Sequence, residues 1–185
     1  FLKLSNRFPT IIEPAPHLAE ICREKGFIVI ENFLEDISVE ELPDVPKCFV
    51  SFELFEHLYS PIKFLEILNK LMKKDDLFIF TTLSGIGLDI QVLWEKSPSV
   101  SPPQHLNFLN PLSLKILLKR QGFKNIEITT PGELDIDILF NNQKFIKDRF
   151  WSTFLKVATK EQKKIFQSVL QESGLSSHMM IVCQK

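Results

Sequence analysis

The sequence predicts an α/β fold in which a mostly parallel sheet carries helices on both faces. Short apolar runs alternate along the chain with longer stretches whose apolar residues recur every three or four positions. Glycine or proline stands at most of the boundaries between them. This alternation is typical of strand–helix–strand units, whose strands lie parallel.

The first predicted elements precede a proline-containing acidic connection. Arg7–Ile12 reads as a short strand that closes at Glu13, and Pro16 lies at the start of a helix that Gly26 ends. Phe27–Ile30 is continuously apolar, which predicts a strand buried on both faces.

The middle of the chain repeats this order. Its predicted elements are a buried strand at Cys48–Phe52, a helix opened by Ser60-Pro61, a strand at Leu77–Thr82, a helix from Asn110-Pro111 to Gly122, and a strand at Asn125–Thr130.

Two predicted helices, Leu134–Phe150 and Thr159–Ser173, form an insertion at about 134–173 before a closing strand at His178–Cys183. Asp135 and Asp137 alternate there with apolar residues, so they are either a solvated face or contacts to a polar substrate. With no internal repeat, residues 1–185 are interpreted as a single domain.

Composition narrows the class of partner. The formal charge of −1 and the lack of a basic stripe give no support for a nucleic acid or an anionic membrane. The longest apolar runs are too short to cross a bilayer. The three cysteines lie in apolar runs, which favours buried thiols in a reducing cytoplasm. Neither the cysteines nor the histidines have the spacing of metal ligands, so no metal site is predicted.

Glu13 is the first candidate for a ligand contact. An acid at the end of the second strand of a nucleotide-binding fold accepts hydrogen bonds from ribose hydroxyls, although Glu13 could equally be a helix-start residue beside Pro14. The glycine-rich loop should lie roughly 20 residues earlier, which is before Phe1. We therefore expect an N-terminally truncated domain whose first strand is missing and in which Phe1–Asn6 ends a helix. The alternative is a beginning that is disordered or supplied separately.

Four short segments then carry a resemblance. They are the Glu-His-Leu of Glu56–Leu58, the QHLNF of Gln104–Phe108, the TPGELDIDIL of Thr130–Leu139 and the LSSHMMIV of Leu175–Val182. In this order they resemble a bacterial subgroup of the class I S-adenosylmethionine (SAM) methyltransferases, which have a Rossmann-like fold. The resemblance extends from Thr10 onward and implies SAM as the cofactor.

The resemblance also implies roles by position. Glu13 would bind the ribose of SAM, and Asn32 and Phe33 would flank its adenine, although Phe33 could instead belong to the core. Glu53, at the end of the next strand, would approach the methionine part.

Two histidines are candidates for acid–base chemistry, since imidazole exchanges protons near neutral pH. His57 lies in a turn at a helix start and has a structural alternative. His105 ends a long, irregular connection at about Leu83–Leu106, and such loops are often lids or binding loops. It lies between Gln104 and Asn107, which we expect to bind substrate, but it could also anchor the loop.

The leading hypothesis is methyl transfer from SAM to a small-molecule acceptor, which the resemblance suggests is a sugar or nucleotide-sugar. A homodimer is left open. The alternative from another class is a non-catalytic methyltransferase-like module for binding or scaffolding. A nicotinamide-dependent oxidoreductase shares the ribose-binding acid but fits the Glu-His-Leu and QHLNF segments poorly.

Overall fold

The structure is a computed structural model that describes residues 9–185. Strands and helices alternate along this range as the sequence predicts. The strands are β1 (Thr10–Ile12), β2 (Ile28–Ile30), β3 (Cys48–Phe52), β4 (Leu77–Leu83), β5 (Lys124–Thr129) and β6 (His178–Gln184). The prediction for Phe1–Asn6 lies outside the described residues.

The helices follow most of the predicted boundaries. They are α1 (Pro16–Glu24), α2 (Pro61–Leu71), α3 (Leu88–Leu93), α4 (Pro111–Arg120), α5 (Asp135–Asn141), α6 (Arg149–Val157) and α7 (Lys160–Glu172). Short 3-10 turns lie at Leu34–Asp36, Val39–Glu41, Phe55–His57, Trp94–Lys96 and Gln143–Phe145. Within the described range, no helix has the length and apolar character needed to cross a membrane.

The prediction of a mostly parallel sheet is wrong, because the larger sheet is mixed. β1 and β2 pair in parallel, and a four-stranded sheet has the order β3-β4-β6-β5. β3 and β4 are parallel, whereas β6 runs antiparallel to both β4 and β5. The chain between β5 and β6 does not cross the sheet. β6 therefore begins at the same edge where β5 ends, and it runs in the opposite direction.

Four local predictions are corrected. The predicted helix over Leu134–Phe150 divides into α5, a 3-10 turn and α6, and Asn141 and Asn142 at the break are residues that compete with helical hydrogen bonding. The connection predicted as irregular contains α3. The strands β2 and β3 are not buried on both faces, since Ile28 is 61% and Phe52 59% exposed. The cysteines also differ, because Cys183 is buried but Cys48 is exposed.

One core cluster forms where α2 and α4 pack on the four-stranded sheet. Its central side chains are Phe78, Phe80, Leu65, Leu68, Leu114 and Ile181. A second cluster, which includes Leu88, Ile136, Leu139, Leu155 and Leu170, joins α3 to the insertion helices α5, α6 and α7. The insertion therefore packs on the segment that follows β4.

Two phenylalanines on paired strands test this account of the core. Phe80 on β4 is fully buried. Phe52 lies on the neighbouring strand β3, one residue after Ser51, which pairs with Phe80, and it is 59% exposed. We expect Phe80→Ala to lower the free energy of unfolding by about 3–5 kcal/mol because it leaves a cavity. The same change at Phe52 should cost less than about 1 kcal/mol. Equal losses in urea denaturation would contradict the described burial.

Candidate active site

Polar residues from four strands meet at one edge of the larger sheet. Glu53 follows the end of β3, Ser84 follows β4 and Thr130 follows β5. His178, the first residue of β6, pairs with Leu83, the last residue of β4. Because β6 is antiparallel, its beginning contributes to the edge where the other three strands end. This is the edge at which open α/β sheets bind ligands.

Glu53 and His178 form an ion pair across this edge. The distance from His178 Nε2 to Glu53 Oε2 is 3.2 Å, and both side chains are about half exposed. The hydrogen bond from His178 is the main cause that lowers the pKa of Glu53 to about 2, with smaller contributions from Thr81 and Glu56. The same bond raises the pKa of His178 above its ordinary value of 6.5, against the opposing effect of burial.

The two segments around the candidate histidines are bound to each other. The backbone N–H groups of Leu106 and Asn107 donate to Glu56 O at 2.8 and 3.1 Å. The Asn107 side-chain amide donates to Leu58 O at 2.6 Å and to Phe55 O at 3.3 Å. Asn107 therefore holds the QHLNF segment on the 3-10 turn at Phe55–His57.

Each histidine ring uses its Nδ1 atom in a bond to a carbonyl oxygen. His57 Nδ1 lies 3.0 Å from Gln104 O, and His105 Nδ1 lies 2.7 Å from Ser99 O. A carbonyl oxygen can only accept, so Nδ1 carries a proton in both rings, and in the neutral form of each ring Nε2 has the lone pair. The rings meet edge to face with their centroids 4.8 Å apart.

Glu56 lies beneath the two histidines. Its side chain is 2% exposed, and Oε2 accepts a hydrogen bond from Thr82 Oγ1 at 2.9 Å. One ligand atom from each of Glu56, His57 and His105 lies within 4.8 Å of the other two. We call these three residues the Glu56 group. Spacing along the chain predicts no such group, because α2, β4 and α3 separate His105 from the other two residues.

A buried hydrogen-bonded cluster lies behind the loop that carries His105. We call Asp89, Asp135, Ser176 and Ser177 the Ser177 cluster; all four are buried. The Ser177 hydroxyl lies 2.7 Å from Asp89 Oδ1 and also bonds to Asp135 Oδ1. Asp89 further accepts from Ser99 Oγ at 2.6 Å. Since Ser99 O bonds to His105, the cluster connects the start of β6 to the candidate base.

Asp135 has neither of the two roles considered from the sequence. It is 1% exposed and accepts from Ser177 N, Ser176 Oγ and the Gln167 amide, each at 2.6 Å. It is therefore neither a solvated residue nor a substrate contact, whereas Asp137 on the same helix is exposed. The apolar neighbours of Asp135 gave no indication that it would be buried.

The remaining predicted site residues are Glu13, Asn32 and Phe33, which follow the strands of the two-stranded sheet, and Gln104 in the loop before α4. Glu13 and Asn32 follow the paired strands β1 and β2, and Glu13 Oε1 accepts from Ala15 N at 2.8 Å. Asn32 Oδ1 accepts from Phe33 N at 3.0 Å, and the Phe33 ring is 60% exposed, so it is not a core residue. Gln104 is exposed at the end of the loop, where its Oε1 accepts from Ser101 Oγ at 3.3 Å.

An apolar groove lies away from the candidate site residues. An open groove of about 380 Å³ between α6 and α7 is lined mainly by the apolar side chains Phe154, Val157, Ile165, Phe166 and Val169. None of the candidate site residues lines it. Its composition offers no acid, base or nucleophile, so the sheet edge is the better candidate for chemistry.

Comparison with known proteins agrees with the fold. Residues 9–128 match the model of a family described as a methyltransferase domain. No curated protein sequence matches the chain. Among solved structures, a SAM-dependent methyltransferase from Archaeoglobus fulgidus is 16% identical with a TM-score of 0.63, and the match covers 100% of this chain and 79% of that one.

Two further structures show the same fold. A possible histamine N-methyltransferase from Thermotoga maritima is 14% identical with a TM-score of 0.59, over 100% of this chain and 75% of that one. Phosphoethanolamine N-methyltransferase 2 from Haemonchus contortus, solved with SAM, is 14% identical with a TM-score of 0.53, over 95% and 43%.

The family match spans most of the chain, so the chain belongs to the methyltransferase-domain family. It is a SAM-dependent methyltransferase domain with the Rossmann-like class I fold, and the family to which it belongs uses SAM. The predictions of enzyme class and cofactor are thereby confirmed.

The Glu53–His178 pair predicts a pH dependence of stability. A raised His178 pKa stabilises the fold below its ordinary value of 6.5, and this contribution is lost as pH rises through the folded-state pKa. The lowered Glu53 pKa contributes above the ordinary 4.5 and is lost as pH falls toward about 2. The pair should therefore stabilise the fold most between about pH 4.5 and pH 6.5, where both contributions are present.

We expect His178→Ala to cost up to about 1 kcal/mol more at pH 6 than at pH 9, since the half-exposed pair is screened by water. Urea unfolding at both pH values measures the difference, and His17→Ala on the exposed face of α1 serves as the control. A cost for His178→Ala that is independent of pH would contradict the ion pair.

Proposed function

We propose that this chain transfers a methyl group from SAM to a small-molecule acceptor held beside the Glu56 group. The observation that carries the proposal is the pair of imidazoles at the sheet edge, each with Nδ1 bonded to a carbonyl and Nε2 available to accept. Such a nitrogen can hold an acceptor hydroxyl or amine in line with the sulfonium methyl and take up its proton.

His105 is the proposed base and His57 the proposed second contact. His105 is half-buried and its Nδ1 bond of 2.7 Å fixes the ring, which favours one proton-accepting orientation. His57 is exposed and packs edge to face on it. The exposed Gln104 side chain would contact the acceptor, while Asn107 would act through the position of the loop.

The proposed cofactor contacts follow the ends of the strands. Glu13 uses Oε1 for Ala15 N, and its other oxygen can accept from a ribose hydroxyl. The exposed Phe33 ring offers a flat apolar face for adenine, beside Asn32. Glu53 is a carboxylate at neutral pH, and the bond to His178 lowers its pKa further, so its negative charge would bind the amino group of the methionine part.

The acceptor class rests on similarity. The Thermotoga maritima protein is described as a possible histamine N-methyltransferase and the Haemonchus contortus protein as a phosphoethanolamine N-methyltransferase, and both named acceptors are small molecules. Within this class we propose a sugar or nucleotide-sugar acceptor, as the resemblance of the Glu-His-Leu and QHLNF segments implies.

Calorimetric titration with S-adenosylhomocysteine tests the cofactor site. We expect micromolar binding that Glu13→Ala weakens by about 10-fold or more, because a charged hydrogen bond to the ribose is lost. Glu24→Ala, which removes an exposed carboxylate at the end of α1, is the matched control and should bind as the parent does. An absence of binding would favour the non-catalytic alternative, and binding unaffected by Glu13→Ala would refute the role of Glu13.

A further inference from the structure

The Glu56 group places three hydrogen-bond acceptors close together. Glu56 contributes a carboxylate oxygen, and each imidazole contributes the nitrogen that its carbonyl bond leaves unprotonated. One potential ligand atom from each residue, a ring nitrogen or a carboxylate oxygen, lies within 4.8 Å of the other two.

The bonds around the group set the tautomer and ring orientation that a metal ligand requires. A histidine that binds a metal through one nitrogen usually donates its other N–H to a carbonyl or carboxylate, which sets the tautomer and the ring plane. His57 does so to Gln104 O, and His105 does so to Ser99 O. Glu56 is oriented in the same way by the hydroxyl of Thr82.

We propose that Glu56, His57 and His105 bind a divalent transition-metal cation, with Zn²⁺ as the best match to the ligands. Two imidazole nitrogens and one carboxylate oxygen form a ligand set found in catalytic zinc sites, where the remaining position is open to water or substrate. Imidazole ligands favour such a cation over Mg²⁺ or Ca²⁺, which prefer oxygen.

The distances allow binding after a small closure. Metal–ligand bonds of about 2.0–2.2 Å place ligand atoms in a tetrahedral site about 3.4 Å apart. The ligand atoms, now within 4.8 Å, would approach by at most about 1.4 Å. His57 is exposed and can rotate, whereas Glu56 is buried and His105 is fixed by its short bond to Ser99, so His57 would supply most of the movement.

A bound cation would define the acceptor further, and this step rests on the proposed function. The open position would bind a hydroxyl oxygen of the acceptor and lower its pKa. The two histidines would then act as ligands in place of the base and contact roles proposed above. The hydroxyl proton would be released to water, and the hydroxyl oxygen would form its bond to the methyl carbon as the sulfonium–methyl bond of SAM breaks, leaving S-adenosylhomocysteine. The acceptor would therefore be a hydroxyl compound that is methylated on oxygen.

Metal binding can be measured without SAM, so its outcome is independent of the cofactor titration. The untagged, chelator-treated chain would be titrated with Co²⁺ while its visible absorption is followed, and then with Zn²⁺ by calorimetry. We expect one site per chain, with affinity reduced at least about 10-fold in His57→Ala and in His105→Ala. His17→Ala and Cys48→Ser, which remove an exposed histidine and an exposed cysteine outside the group, should leave affinity unchanged.

Several results would overturn the inference. They are the absence of a one-to-one site, an affinity that survives both His57→Ala and His105→Ala, and an affinity that falls in Cys48→Ser or His17→Ala. Circular dichroism would establish that each variant is folded. If His105→Ala is unfolded, the exposed His57→Ala alone decides, since retained binding in that variant refutes the site.

Discussion

The hydroxyl of Ser177 lies between two buried carboxyl groups, and the arrangement of the candidate site depends on this contact. Asp89 belongs to α3 and Asp135 to α5, and both bond to Ser177 just before β6 begins. Gly87 permits this approach, because a side chain there would begin 2.6 Å from Ser177 Cα. The Ser177 cluster thereby joins the segment after β4, the insertion and the central antiparallel strand at one point.

The cluster has a cost that its hydrogen bonds must offset. A carboxylate removed from water without partners would be strongly destabilising. Asp135 accepts from the Ser177 backbone amide, the Ser176 hydroxyl and the Gln167 side-chain amide, and Asp89 accepts from the hydroxyls of Ser97 and Ser99. The Ser177 hydroxyl contacts both carboxyl groups and can donate its one proton to either of them. Networks satisfied in this way favour one arrangement over its alternatives. Through Ser99, the cluster also sets the carbonyl that orients His105.

Most helices and strands were predictable, because the start of a helix and the length of a strand depend on residues that are close together in the sequence. Asn110 caps α4 and Thr159 caps α7, as their sequence patterns predict. The reversed direction of β6 was missed, since strand direction depends on the path of a distant connection. α3 was missed because a helix of six residues is too short to show a 3.6-residue period.

The residues of the candidate site were easier to predict than the way in which they are arranged in space. The Glu-His-Leu and QHLNF segments were singled out together, and the fold does bring them into contact. Their grouping around Glu56 could not be deduced, because nothing in a linear pattern shows which nitrogen a carbonyl will engage. The burial of Asp135 was not predicted, because its partners Ser176 and Ser177 are distant in the sequence. Two helices, α6 and α7, lie between them and α5.

The unfolding free energy of Asp135→Asn, compared with Asp137→Asn, tests most directly whether the Ser177 cluster holds the site together. The asparagine would present a donor where the carboxylate accepts, and we expect a loss of about 2–3 kcal/mol. We also expect faster amide hydrogen exchange at Ser177 and Met179. Asp137→Asn, on the exposed face of α5, should cost less than about 0.5 kcal/mol. Equal, small losses in the two variants, with unchanged exchange, would contradict the account.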